Sequence, residues 1–141
     1  MKRTRLAHRG GTLVEFAIAW PIALLIVLAA VETAVWGTEM YAARSASLAG
    51  ARAGSVTGGT AAIASAVALG SLAPSLVGVT AGSWCPGQSS ASPTVWVCAT
   101  DLGAAMQVDI GGSVPALVPV GLGAGLPLRA HVVLQKEAYT K

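Results

Sequence analysis

The residue best placed to do chemistry in this chain is a carboxylate at the mouth of an apolar segment. In Arg9-Gly10-Gly11-Thr12-Leu13-Val14-Glu15-Phe16, Glu15 precedes an uncharged run, FAIAWPIALLIVLAAV, that lasts to Val31. A carboxylate buried in lipid is costly and calls for a partner. Gly10 and Gly11 stand between a basic segment and an apolar one, a small and flexible junction that a membrane peptidase can engage. A cut between them would create an ammonium on Gly11, four residues from Glu15. Within one molecule, or between neighbours in an assembly, that pair would offset a desolvation cost of several kcal/mol. The plainer reading is a glutamate at the membrane interface, favoured there by the helix N-terminus.

Cys85 and Cys98 bracket a loop containing Pro86, Gly87, Ser89, Ser90 and Pro93. The spacing is far from C-x-x-C and no histidine lies nearby, so a zinc site is not indicated. In an oxidising compartment the pair reads as a hairpin disulfide, contributing ~2–3 kcal/mol for so short a loop. In a reducing one it reads as two buried thiols. Asp101 and Asp109 are the remaining candidates for a metal or catalytic pair, although isolated acids near turns are usually solvated. His131 reads as a surface strand residue and His8 as part of the basic start. Gly121-Leu-Gly-Ala-Gly125 is not G-x-G-x-x-G and follows no βα unit, which argues against a nucleotide loop. No nucleophile, base and acid come together. The expectation is a protein with no catalytic residues, no metal and no cofactor.

Composition bounds what can position these residues. Of 141 residues, 54% are hydrophobic and only 11% charged, against about a quarter charged in an ordinary soluble domain. The net charge of +3 is local: Lys2, Arg3, Arg5 and Arg9 supply four of nine basic residues, and the rest of the chain nets −1. A nucleic-acid-binding face would spread its cations over a folded surface; none is expected here.

The apolar run, extended from Thr12 to Trp36, is long enough for a bilayer, which needs about 20 residues. Pro21 lies inside it and is expected to kink the helix. The basic residues before the span place the N-terminus in the cytoplasm and the bulk of the chain outside, which favours the disulfide. Beyond Glu32, Trp36, Met40, Ala43 and Ala51 share one helical face and Arg44 and Arg52 another. Trp36 and Tyr41 suit a membrane interface. A helix continuous from Gly11 to about Ser55 would reach ~65–70 Å, so its second half must protrude. Gly50 and Gly54 have helix-packing spacing, but with Arg52 between them close packing in lipid is not expected. Thr60–Leu72 reads as a second helix capped by Thr60. Leu76–Trp84, Thr94–Thr100, Gln107–Ile110 and Leu128–Leu134 read as strands, the first two as a hairpin stapled by the cysteines. The stretch GGSVPALVPVGLGAGLP, broken by Pro115, Pro119 and Pro127, reads as an apolar loop lying on the membrane, the long helix or a partner, and not as a central strand.

These features together resemble the TadE-like family of prepilin-like proteins, minor pilins or pseudopilins of the tight-adherence (Tad/Flp) pilus systems. The likeness lies in the glycine before the cut, Glu15 at the fifth position after it followed by Phe16, and the proline inside the apolar helix. The continuation AARSASLAGARAG, a late small domain with two cysteines and the tail LRAHVVLQKEAY also fit. The resemblance implies cleavage by a prepilin peptidase between Gly10 and Gly11, export into the bacterial envelope, and a place in pilus assembly beside other pilins and assembly proteins. The bulky outer domain favours a minor subunit. The expected fold is α+β: a basic leader at 1–10, a transmembrane helix at 11–36, its protruding continuation at 37–56, and a small extracytoplasmic domain with short antiparallel strands at 57–141. The expected location is the inner membrane, crossed once and in contact with its lipid. Two other readings stay open: an unprocessed single-pass protein with an outer binding domain, and a small β-rich protein secreted by signal peptidase. The apolar run exceeds the usual h-region of a signal peptide.

Overall fold

The computed structural model describes residues 11–116 and 125–137. Helix α1, Gly11–Ser55, is a single element 45 residues long, about 68 Å at 1.5 Å per residue. Pro21 lies within it. Lacking an N–H, Pro21 leaves the carbonyl of Ala17 without its usual helical donor.

A short turn reverses the chain into α2, Ala61–Leu72. Thr60 caps it as the sequence indicates: the backbone is extended, and the hydroxyl accepts from Ile63 N at 3.2 Å. Helix α2 returns along the upper part of α1, and the contact is built from small residues. A Cβ added at Gly50 would lie 2.6 Å from the Ala64 carbonyl oxygen. The Gly50/Gly54 spacing therefore does bring two helices together, but outside the apolar run and against α2.

After a 3-10 turn at Ala73–Ser75 come four strands: β1 Ala81–Ser83, β2 Val95–Asp101, β3 Ala105–Val114 and β4 Leu126–Gln135. They form one sheet in the order β1-β2-β3-β4. The α+β class and the mainly antiparallel sheet agree with the sequence reading. The expected hairpin of Leu76–Trp84 with Thr94–Thr100 does not form. Only three residues of the first segment are strand, and β1 runs parallel to β2, Ala81 opposite Val95 and Ser83 opposite Val97. Residues 84–94 carry the chain back to the starting edge, which a two-residue turn cannot do.

A second correction concerns the Gly- and Pro-rich stretch. Its first four residues, Gly111–Val114, extend β3, a central strand, and Leu126 and Pro127 begin β4. Pro127 is tolerated because β4 is an edge strand with one side free of ladder bonds. Gly112 has φ +133°, and a Cβ there would strike the Thr94 carbonyl; only glycine continues the strand at this point. Residues 117–124, the middle of the expected apolar loop, lie outside the described residues.

One face of the sheet packs on the helices, α1 against β3 and β4 and α2 against β2. Ala43, Ala46, Ala51, Ala64, Ala68 and Leu72 meet Val95, Val97, Met106, Val108, Ile110, Val114, Leu128 and Ala130 in a single core. Alanines dominate the helical side. The larger contributions come from Leu72, Met106, Ile110 and Leu128, about 1.5–3 kcal/mol each on burial.

Candidate functional site

The lower part of α1 is the candidate site, and its surface explains why. Every residue from Leu13 to Val31 is exposed, including Phe16 at 66% and Ile26 at 65%. One helix among the described residues is long and apolar enough to cross a membrane. None of the described residues covers this surface. Phe16 and Trp20, one turn apart, stack with ring centroids 6.1 Å apart. Where hydroxyls occur near its end, the helix satisfies them itself. Thr33 Oγ1 donates within reach of the Ala29 and Ala30 carbonyls at 3.0 and 2.9 Å, and Thr38 Oγ1 donates to Val35 at 2.6 Å. Such back-bonding removes the cost of a free hydroxyl in apolar surroundings.

Glu15 belongs to this surface and is exposed. Gly11 opens the helix, so its nitrogen and Glu15 stand one turn apart, a rise of about 6 Å. Gly10, the other half of the expected cleavage site, lies outside the described residues, as does the whole basic leader.

The exposed apolar surface gives way to the folded domain at Trp36. Its Nε1 donates to the Pro127 carbonyl at 3.0 Å. One turn on, Glu39 is buried, and its Oε1 accepts from Val77 N at 3.1 Å. Sequence reasoning passed over Glu39. The signal was there: it lies three residues from Trp36 and four from Ala43, on the face that the core covers. An acid on that face needs a donor, and the amide of Val77 supplies one.

Cys85 and Cys98 are joined, with Cα atoms 4.8 Å apart. The bond ties the loop after β1 to the middle of β2. Trp84 N donates to the Val97 carbonyl at 3.1 Å, and the Trp84 indole meets that of Trp96 edge-on at 5.8 Å.

Asp101 and Asp109 do not come together. Asp101, at the end of β2, accepts from Lys136 Nζ at 2.6 Å and from Gly103 N at 2.8 Å. The Lys136 ammonium, and then the Gly103 amide, hold its carboxyl below the usual range. Asp109 lies opposite His131 in the β3–β4 ladder and hydrogen-bonds its Nδ1. Among the described residues no group of three or more His, Cys, Asp and Glu is placed to hold a metal ion. Of the Gly121–Gly125 segment only Gly125 is described.

Comparison with known proteins singles out the same helix. The TadE family model, described as TadE-like protein, matches residues 10–52. No curated protein and no solved structure matches the chain. The matched segment covers the Gly10–Gly11 junction, Glu15, the exposed apolar surface and the α1 face that carries Trp36 and Glu39. TadE-like proteins are pilus-associated structural proteins and not an enzyme family.

Proposed function

We propose, from the TadE-like character of residues 10–52, that this chain is a prepilin-like subunit of a Tad-type pilus, cut between Gly10 and Gly11 by a prepilin peptidase. The mature protein acts as a minor pilin or pseudopilin. It is held in the inner membrane by α1, with the sheet domain outside the cytoplasm, and joins other pilins and assembly proteins. The supporting observation is the continuous helix whose residues Leu13–Val31 are all left exposed by the rest of the described residues. A surface so apolar must meet lipid or neighbouring helices, and both are available to a subunit that leaves the bilayer for a fibre. Glu15 with the new Gly11 amine then forms a charge pair in that setting, and Pro21 supplies a bend in the packed helix.

The mature N-terminus tests this reading. Mass spectrometry of the protein from its native membrane is expected to begin at Gly11. A start at Met1 or Lys2 would leave an unprocessed single-pass protein, and a start beyond Ala30 a secreted one; either refutes the proposal. Glu15→Ala tests the pair: membrane insertion is retained and incorporation into pili falls. Unchanged incorporation would refute the charge-pair mechanism alone.

A further inference from the structure

The sheet face turned away from the helices carries two cross-strand rows that membrane anchoring does not use. Trp96, Gly111 and Arg129 are register partners in one; Cys98, Asp109 and His131 are in the next. Between them runs the row Val97, Ile110 and Ala130, which is buried against the helices. Alternation along a strand therefore sends the first two rows outward.

The first row forms a platform. Gly111 has no side chain, and the Trp96 indole occupies the space, its Cζ2 2.4 Å from where a Cβ would stand. The ring thus reaches across β3 toward the strand that carries Arg129. Pro86, on the loop tied down by the disulfide, and Pro127, on β4, flank a groove of about 650 Å³ that Trp96, Asp109, Arg129 and His131 also line. That is within the usual size range for small-molecule sites.

The groove holds one carboxylate, Asp109, and one guanidinium, Arg129. Both oxygens of Asp109 are engaged: Oδ1 with His131 Nδ1, and Oδ2 by Gln107 Nε2 at 2.6 Å. Arg129 is exposed and makes no ion pair with any described residue. The free recognition groups are therefore a guanidinium, an imidazole oriented by Asp109, and an indole.

We propose that this groove binds an acidic saccharide, with a sugar ring against Trp96 and the ring's carboxylate on Arg129. The spacing suits it. Adjacent strands lie about 4.8 Å apart, and in a hexuronic acid the carboxylate is one bond from the ring. The apolar C–H face of a pyranose matches an indole, and the planar guanidinium matches a carboxylate in a two-bond fork. The remaining His131 nitrogen meets a hydroxyl. A neutral sugar leaves the guanidinium unused, and an acidic peptide offers no flat ring to the indole.

The experiment uses the full-length protein in nanodiscs, titrated with tetragalacturonate and followed by calorimetry and tryptophan fluorescence. Saturable binding with a change in indole emission is expected. Arg129→Gln, a surface change that keeps the near-ultraviolet circular dichroism of the parent, weakens binding about tenfold, the scale of a lost charge-assisted contact. A neutral galactose tetramer binds more weakly by a similar factor. The proposal is overturned if the folded protein does not bind tetragalacturonate, or if Arg129→Gln binds equally well. It is also overturned if tetraglutamate binds as tightly as the sugar.

Discussion

The indole of Trp36 is bonded to the carbonyl of Pro127, 91 residues away in sequence. The contact joins the point where the exposed apolar helix ends to the first residues of the last strand. It anchors an edge strand at a proline, where the ladder itself is weakest.

Replacing Trp36 by Phe removes the donor and part of the ring. A loss of about 1–2 kcal/mol in stability is expected, combining one hydrogen bond with reduced packing. Thermal unfolding of the detergent-solubilised protein measures it, and hydrogen exchange should localise the loosening to Leu126–Leu128.

Gly50→Val puts a branched side chain where the Ala64 carbonyl stands 2.6 Å from a bare Cβ. Backbone cannot rotate aside as a side chain can, so α1 and α2 must separate. Destabilisation of about 2–3 kcal/mol or more is expected. Gly37→Ala, at a position with no atom within 4 Å of the added Cβ, should cost nothing and is the matched control.

Reducing the bond between Cys85 and Cys98, 13 positions apart in sequence, frees the loop they close, and a cost of about 2–3 kcal/mol is expected. Cys85→Ser with Cys98→Ser should show the same loss without reductant. A shift in electrophoretic mobility on reduction of the protein isolated from cells reports the bond directly.

Asp101 gives a pH signature. Its folded pKa lies below the unfolded value because Lys136 and the Gly103 amide favour the carboxylate. Its contribution is therefore present above the unfolded pKa of about 3.9 and is lost as pH falls through the folded one. The stability difference between the parent and Asp101→Asn should be visible at pH 6, vanish in strong acid, and shrink with added salt because the pair is exposed.

Most of the helical architecture was legible in local chemistry. An uncharged run, a face with Trp36, Met40, Ala43 and Ala51, and Thr60 before Ala61 each mark structure within a few residues. The sheet was less so, because strand direction is a tertiary property. Nothing near Ala81–Ser83 distinguishes a hairpin from a parallel return, and a disulfide fits either. Gly111, Gly112 and Pro127 read as breakers, yet they are strand residues for reasons held elsewhere in the chain: the Trp96 ring, the Thr94 carbonyl and the free side of β4. Glycines 50 and 54 announced a close approach without naming the partner. Of the candidate site, Glu15 and the apolar surface were plain, while Glu39 was hidden because its donor comes from Val77, thirty-eight residues on.

The unbroken course of α1 has a mechanical consequence. The helix that carries the exposed apolar surface is the one whose upper turns form the floor of the core, and Trp36 and Glu39 fasten the sheet domain to it within about nine residues of Val31. No linker takes up slack between them. Any machine that draws the lower end of this rod along its axis, or rolls it about that axis, must move the sheet domain through the same distance and angle in the same stroke.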